Sequence, residues 1–118
     1  MTTIEGNLQA VRDRIAAACR AAGRDPDSVR LLAVSKTFDA GTVAVAFEAG
    51  QHSFGENYIQ EAVDKIQALR PRPIEWHCIG PIQSNKTRLV AEHFDWVQSL
   101  DRLKIAQRLD AQRPDHLP

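Results

Sequence analysis

The sequence predicts an α/β protein in which a leading helix precedes four β-α units, together forming half of a TIM-type (β/α)8 barrel. Four strand-like runs begin about 22 residues apart, and a helical pattern follows each of them. Because each helix must carry the chain back to the same end of the sheet, the strands are expected to be parallel. The short, even period favours a barrel, and a small open parallel three-layer α/β sheet stays the alternative.

The first segment, residues 1–23, is predicted to be an amphipathic helix. Its apolar side chains recur every three or four positions and therefore share one face of a helix. They are Ile4, Leu8, Val11, Ile15 and Cys19. Gly23 is a natural end for this helix, and a polar turn with Pro26 follows it.

The four strands are expected at residues 29–35, 52–54, 74–79 and 96–100. The first is continuously apolar over residues 31–34, which is typical of a strand covered on both faces. Parallel strands also need connections long enough to contain a helix, and each interval here provides one.

The first two helices after the strands have clear limits. One begins near Asp39 and ends at Gly50, and the next begins at Asn57 and ends before Pro71. Gln60 is a possible capping partner for Asn57. The side chains expected to face the sheet are Val43 and Phe47 in the first helix, and Ile59, Val63, Ile66 and Leu69 in the second.

The last two helices are predicted from the same periodicity. They begin near Ser84 and at Asp101. Their core side chains are expected to be Leu89, Val90 and Phe94 in one helix, and Leu103, Ala106 and Leu109 in the other.

The 118 residues fit one domain, with the leading helix at 1–23, the four units at 29–111 and a tail at 112–118. A closed barrel needs eight units and roughly 250 residues. The polar, proline-containing tail stands where a fifth strand would begin, so the sheet would keep two unpaired edges. A homodimer formed through these exposed sheet edges is therefore one hypothesis.

Composition limits the classes of partner. Fifteen basic and fifteen acidic side chains balance, which gives no electrostatic reason to expect a nucleic-acid or membrane partner. The polar start of the chain does not resemble a signal peptide, and no apolar run has the roughly 20 residues of a membrane span. Cys19 and Cys78 fit no CxxC motif, so they indicate reduced cysteines in a cytoplasmic protein.

Polar residues are concentrated after the predicted strands, at the edge where parallel α/β folds bind ligands. Lys36 is the most informative of them, because it directly follows an apolar strand. A lysine amine in a desolvated site attacks carbonyl groups and forms a Schiff base. The alternative is an ordinary lysine that extends from the rim into water.

Each of the other candidates also has a structural interpretation. Asn57 is a natural N-cap of its helix, and Glu56 is expected to be a surface or capping carboxylate. Tyr58 is expected to be a packing residue, and His77 a core histidine bonded to a neighbour.

Ser84 and Asn85 stand at a helix start, where they either cap the helix or bind a phosphate. The four histidines show no metal-binding spacing, so no metal site is predicted. GxGxxG and Walker motifs are also absent from the sequence.

Four segments carry a family resemblance over almost the whole chain: LLAVSKT, FGENYIQE, WHCIGPIQSNK and VQSLD. In order and spacing they resemble the YggS/PROSC family of pyridoxal phosphate homeostasis proteins. The resemblance implies a barrel like the N-terminal domain of alanine racemase, with pyridoxal 5'-phosphate held as a Schiff base on Lys36. It also implies that Asn57 lies at the cofactor, and that the pocket rim includes Ser35, His77, Ser84 and Asn85.

This sequence departs from the family pattern in two respects. Where the family often has SKTKP, this chain has Ser35 to Asp39 as SKTFD, so a second lysine is missing. The family barrel is also about twice as long, so the resemblance covers its N-terminal half only. The groups that grip the cofactor phosphate and face the pyridine nitrogen belong to the other half of such a barrel.

The resemblance implies a non-catalytic binder of pyridoxal phosphate in vitamin B6 homeostasis, with apo-enzymes as possible recipients of the cofactor. No catalytic residue is assigned, because no second acid-base group is evident. The rival hypothesis is a pyridoxal-phosphate-dependent amino-acid racemase. A third hypothesis is a cofactor-free half-barrel that associates with itself.

Overall fold

The computed structural model describes residues 3–118 and contains four strands and five α-helices. The strands are β1 Ala33–Val34, β2 Ser53–Glu56, β3 Glu75–Cys78 and β4 Trp96–Val97. The α-helices are α1 Ile4–Ala21, α2 Ala40–Glu48, α3 Ile59–Leu69, α4 Thr87–His93 and α5 Leu103–Gln112. Short 3₁₀ turns lie at Pro26–Ser28 and Ser84–Lys86.

The four strands form one parallel sheet in the order β1-β2-β3-β4. This order follows the chain without a reversal, so right-handed crossovers place every helix on the same face. Consecutive helices contact one another from α1 to α5. This arrangement is the half-barrel that the sequence predicts, because a three-layer sheet would need a reversal of strand order to cover both faces.

The hydrophobic core lies between the sheet and the layer of helices. Aromatic side chains from β2 and β3 fill its centre, where Phe54 and Trp76 pack with ring centroids 5.9 Å apart. Aliphatic residues from the helices enclose this pair, including Val43, Val63, Ile66, Val90 and Ile105. Burial of these side chains supplies most of the energy that holds helices and sheet together.

The first two helices begin at side-chain caps. The Thr3 hydroxyl accepts a hydrogen bond from the Gly6 amide at 2.9 Å, and the Asp39 carboxylate accepts one from the Thr42 amide at 2.8 Å. The prediction that a helix begins near Asp39 is confirmed. Residues 1 and 2 of the predicted leading helix lie outside the described part of the chain.

Several local predictions are wrong. Strand β1 spans only two residues, because the apolar residues before them form no ladder with β2. Helix α3 begins after Tyr58 rather than Asn57, and no side chain caps it. In α5, Leu103 is exposed and Ile105 is the buried residue. The sequence periodicity predicted the helix correctly but predicted the wrong side of it to be buried. A ten-residue helix has too few turns for the periodicity to define the buried side.

None of the helices within residues 3–118 combines the length and the apolar character needed to cross a membrane.

Candidate functional site

The sheet has two faces of opposite character. We call the face that packs on the helices the covered face, represented by the paired residues Ala33, Phe54 and Trp76. The other is the open face, and its residues also align across the sheet. They are Val34, Gly55, His77 and Trp96. Val34 is 49% exposed and Trp96 is 55% exposed, so a large part of the open face is in water.

Lys36 lies in a tight turn at the carboxyl end of β1. The turn spans Ser35 to Phe38 and is closed by a 3.1 Å hydrogen bond from the Phe38 amide to the Ser35 carbonyl. Thr37 occupies its third position with φ of 69°, a conformation that usually belongs to glycine or asparagine. The Lys36 side chain is exposed to solvent.

Asn57 lies at the same level of the sheet as Lys36. The last paired residues of β1 and β2 are Val34 and Gly55, and both Lys36 and Asn57 follow two positions later. Both residues lie just beyond the paired segments, Lys36 in the turn after β1 and Asn57 in the bend after β2, so both lie at the carboxyl edge of the sheet. The register of the strands therefore brings a primary amine and an amide to the same rim.

The side chain of Asn57 has an unsatisfied polar atom. Its Oδ1 is buried and has no hydrogen-bond partner among residues 3–118. Buried polar atoms are nearly always paired, so an unpaired one at a rim is an unused acceptor. Its position is fixed by Gly80, because a Cβ at that glycine would lie 3.0 Å from both Cα and the carbonyl oxygen of Asn57.

The predicted surface position of Glu56 is wrong. This carboxylate is 0% exposed and lies on the covered face, between the sheet and α3. It forms an ion pair with Lys65, whose Nζ is 3.0 Å from Oε1 and 3.1 Å from Oε2. The Ser35 hydroxyl donates a hydrogen bond to the same carboxylate. Ser35 is thus directed away from the open face, which argues against its direct contact with a ligand there.

Lys65 is a residue that the sequence analysis missed. It is only 5% exposed, and its ammonium group also donates to the Ser35 carbonyl at 2.8 Å and to Glu61 at 2.9 Å. The spacing of four between Glu61 and Lys65 was visible in the sequence as a standard helical ion pair. That signal identifies a pair, but it does not distinguish a buried lysine from one on the surface.

His77 lies in the middle of the open face, with both ring nitrogens in use. Its Nε2 is 2.7 Å from Glu75, and its Nδ1 accepts a hydrogen bond from the Gln98 amide at 2.8 Å. The ring stacks on Trp96 at a centroid distance of 5.9 Å. The interpretation of His77 as a buried, bonded histidine is confirmed. The hydrogen bond from His77 is the main cause that lowers the pKa of Glu75, and the neighbouring charge of Arg30 adds to it.

The remaining candidates lie further along the rim. Ser84 is partly exposed and Asn85 is exposed, both in the 3₁₀ turn before α4. The predicted capping role is wrong, because the turn has no side-chain cap and Ser84 contributes only its carbonyl, which accepts from the Thr87 hydroxyl at 3.1 Å. Tyr58 is mostly exposed, so its predicted packing role is also wrong. In the described part of the chain, no group of three or more acidic, histidine or cysteine side chains is placed to hold a metal ion.

Comparison with known proteins gives a consistent result. Residues 6–117 match the model of the alanine racemase N-terminal domain. The chain is 58% identical over 121 residues to the pyridoxal phosphate homeostasis protein of Escherichia coli strain K12, a match over 100% of this chain and 52% of that protein. It is 60% identical over 118 residues to the protein of the same name from Pseudomonas aeruginosa, over 100% and 51%.

Solved structures give the same fold. One is PipY of Synechococcus elongatus PCC7942 with pyridoxal phosphate bound, which superposes with a TM-score of 0.71 and 43% identity over 86% of this chain and 47% of that chain. Another is an unknown protein from Bifidobacterium adolescentis, with a TM-score of 0.86 and 36% identity over 92% of this chain and 49% of that chain. The chain spans about half the length of the curated relatives it matches.

Proposed function

We propose a function for this chain from one established premise: it belongs to the family of the alanine racemase N-terminal domain. The proposed function is to bind pyridoxal 5'-phosphate at Lys36, in intracellular vitamin B6 homeostasis and without catalytic turnover. Two curated relatives are named pyridoxal phosphate homeostasis proteins, and the PipY structure was solved with pyridoxal phosphate bound.

The observation that carries the proposal is the position of Lys36. It lies after β1 at the carboxyl edge of the sheet, the edge at which Asn57 also follows β2. When bound, pyridoxal phosphate supplies an aldehyde that condenses reversibly with a primary amine. The part of this chain is to present that amine where a ligand reaches it, at the end of a parallel strand.

The residues around Lys36 fit such a ligand. The buried Oδ1 of Asn57 lacks a partner in the described residues, and a hydroxyl or protonated nitrogen of a ligand would satisfy it. Because Gly80 has no side chain, the backbone that follows β3 packs directly against Asn57. Roles for Ser84 and Asn85 near the phosphate stay predictions, and so does a direct role for His77.

Binding without turnover is favoured over racemisation. A racemase needs acid-base groups free to exchange a proton with the substrate. Both nitrogens of His77 are occupied by Glu75 and Gln98, and Glu56 lies on the covered face. Exchange of an amino-acid α-proton with deuterated solvent, at saturating pyridoxal phosphate, tests this point. No exchange is expected, and steady exchange that depends on Lys36 would establish the racemase instead.

Partners of the proposed function follow from reversible attachment. Apo-enzymes that require the cofactor are proposed as recipients. We also propose a cytoplasmic location, in keeping with two cysteines that are free and buried.

A second copy of the chain is a proposed partner through the edges at β1 and β4, where Val34 and Trp96 remain exposed. Sedimentation at micromolar concentration is expected to show a dimer. A well-folded monomer at that concentration would refute this part of the proposal.

Reductive trapping tests cofactor binding directly. The chain is incubated with pyridoxal phosphate, reduced with borohydride and digested, and the labelled peptide is identified by mass spectrometry. Label is expected on Lys36, and Lys36→Ala should abolish it. Lys104→Ala is the matched control, because Lys104 is an exposed lysine on α5 that is not among the proposed binding residues. Preferred labelling of another lysine, or equal labelling of many, would refute the proposal.

A further inference from the structure

We infer that Glu56, Lys65 and Glu61 form a positioning network that holds the turn carrying Lys36 from the covered side of the sheet. The inference rests on the proposed function, because it concerns the reactivity of the Lys36 amine. None of the three side chains belongs to the open face. They act on Lys36 only through the backbone of its two neighbours, Ser35 and Thr37.

The centre of the network is the ammonium group of Lys65, which contacts three other residues. Lys65 extends from α3 beneath the turn and has three N–H donors. Its acceptors are the Ser35 carbonyl at 2.8 Å, the buried carboxylate of Glu56 at 3.0 Å and the Glu61 carboxylate at 2.9 Å. Contacts to three residues restrict the position of the ammonium nitrogen. The Ser35 carbonyl, directly before Lys36, is fixed with it.

The residue after Lys36 is held by the same network. The Glu61 oxygen that contacts Lys65 also accepts a hydrogen bond from the Thr37 amide at 2.9 Å. The pKa of Glu61 is lowered, mainly by its hydrogen bond with Lys65. A charged carboxylate is the stronger acceptor, so the amide of Thr37 is well anchored. One lysine and one glutamate therefore hold both sides of Lys36.

The conformation of Thr37 shows that the turn needs this support. A φ of 69° is unfavourable for a β-branched residue, which persists there only when its surroundings enforce it. Two hydrogen bonds enforce this conformation. One runs from the Thr37 amide to the Glu61 carboxylate, and the other runs from the Phe38 amide to the Ser35 carbonyl and closes the turn. If these contacts are lost, Thr37 relaxes to negative φ and the direction of the preceding residue changes.

The consequence is that residues of the covered face position a reactive group at the edge of the sheet. The three side chains of the network do not contact Lys36 itself. They set the orientation of its side chain through the backbone of Ser35 and Thr37. Reactions that require an approach at one angle lose rate steeply when the reacting group is displaced. Loss of the network should therefore slow attachment at Lys36 without removing its amine.

Glu61 offers a clean test because it is partly exposed, with 38% of its side chain in solvent. Glu61→Gln keeps an oxygen that accepts from the Thr37 amide, whereas Glu61→Ala removes it. Two quantities are measured on the 118-residue chain: hydrogen exchange of the Thr37 amide by NMR, and the rate of borohydride-trapped attachment of pyridoxal phosphate at Lys36. Attachment at the exposed Lys104 serves as the internal reference.

Glu61→Ala is expected to speed exchange at Thr37 and to slow attachment at Lys36, each by about tenfold or more. Glu61→Gln should restore both values to near those of the unchanged chain. Lys65→Met gives a second, independent test with the same expected loss, since it removes the donor to Ser35.

Three results would overturn the inference. Attachment at the original rate in both Glu61→Ala and Lys65→Met would show that the network does not position Lys36. An equal loss of rate in Glu61→Ala and Glu61→Gln would assign the effect to charge instead of the hydrogen bond. If the unchanged chain is not labelled at Lys36 although Thr37 exchange depends on Glu61, the proposed function fails and the network is structural only.

Discussion

The two faces of the same four strands differ in which side chains they bury and which they leave in water. The covered face buries an ion pair, Glu56 with Lys65, among aromatic and aliphatic residues. The open face leaves Val34 and Trp96 about half exposed. Charged side chains are seldom fully buried unless they are paired, so the matched partners of Glu56 and Lys65 account for their place in the interior.

The difference teaches that the faces have separate tasks. A buried ion pair adds little to stability compared with well-packed apolar residues, but it fixes geometry when every donor and acceptor is matched. Here the matched groups lie directly beneath Ser35 and Thr37. The open face, in contrast, leaves apolar side chains partly in water, and Lys36 and Asn57 follow the strands at its carboxyl edge. We propose that the covered face supplies stability and positioning, and that a ligand is recognised at the carboxyl edge.

The largest expected effect comes from breaking the ion pair on the covered face. Glu56→Ala leaves the buried ammonium of Lys65 without its main partner, which should lower the free energy of unfolding by about 3–5 kcal/mol. Urea denaturation followed by circular dichroism measures this loss. The double variant Glu56→Leu with Lys65→Met is the control, since it removes both charges and should lose much less. Equal losses in both variants would show that packing, not charge, determines the effect.

The two tryptophans provide a direct comparison of the faces. Trp76 is 4% exposed and packs on Phe54, whereas Trp96 is 55% exposed and stacks on His77. Trp76→Ala should therefore cost about 3 kcal/mol more than Trp96→Ala. In the unchanged chain, acrylamide should quench the fluorescence of Trp96 and leave that of Trp76. Equal costs for the two substitutions, measured by urea denaturation, would mean that the open face is covered in solution.

A smaller effect is expected at Gly80, the glycine that packs against the backbone of Asn57. Gly80→Ala places a Cβ 3.0 Å from the backbone of Asn57, which cannot move away cheaply, and should cost about 1–3 kcal/mol. Gly55→Ala is a matched control, because its Cβ also lies 3.0 Å from the nearest atom, but that atom ends the flexible side chain of Ile79. Thermal denaturation should rank Gly80→Ala as clearly worse. The reverse order would place Asn57 in a less rigid position than described.

The smallest effect concerns pH and the polar part of the open face. The pKa of Glu75 is lowered from its ordinary value of 4.5, chiefly by the hydrogen bond with His77. The folded chain therefore binds fewer protons than the unfolded chain at acidic pH. The stabilising contribution of Glu75 is complete above the ordinary pKa and disappears as the pH falls through the lowered one.

Glu75→Gln tests this linkage. The melting temperature of the variant should be slightly lower than that of the unchanged chain near neutral pH, and the difference should shrink in acid. Scanning calorimetry across that pH range measures the difference. A difference that stays constant, or grows as the pH falls, would contradict the assigned direction of the pKa shift.

Most of the fold was predictable because it depends on local and periodic signals. The repeat of strand and helix predicted a parallel sheet, and the even period indicated the half-barrel that the strand order confirms. Asp39 was correctly placed at the start of a helix because a carboxylate cap is a local device. The phase of α5 was not predictable, since an exposed Leu103 and a buried Ile105 depend on which side the neighbouring helix packs.

The candidate site was predictable only in part. Lys36 and Asn57 were predicted because each follows a strand and parallel strands end at a common edge, and their role toward a ligand stays a prediction. Glu56 and Lys65 were missed, since a carboxylate next to a turn and a lysine in a helix both suggest a surface. Glu56 and Lys65 are nine residues apart in the chain. Only their contact in the folded protein, next to Ser35, shows that the two charges neutralise each other in the interior.

By itself, then, the sequence determined the order of helices and strands, the parallel sheet and the identity of the amine at its edge. These properties follow from hydrophobic periodicity, chain connectivity and the alternation of side chains along a strand. Only the tertiary structure decided which charges are buried, which apolar residues remain in water and how the turn around Lys36 is held. Those properties depend on contacts between residues distant in the chain, and no local pattern encodes the distance between two such groups.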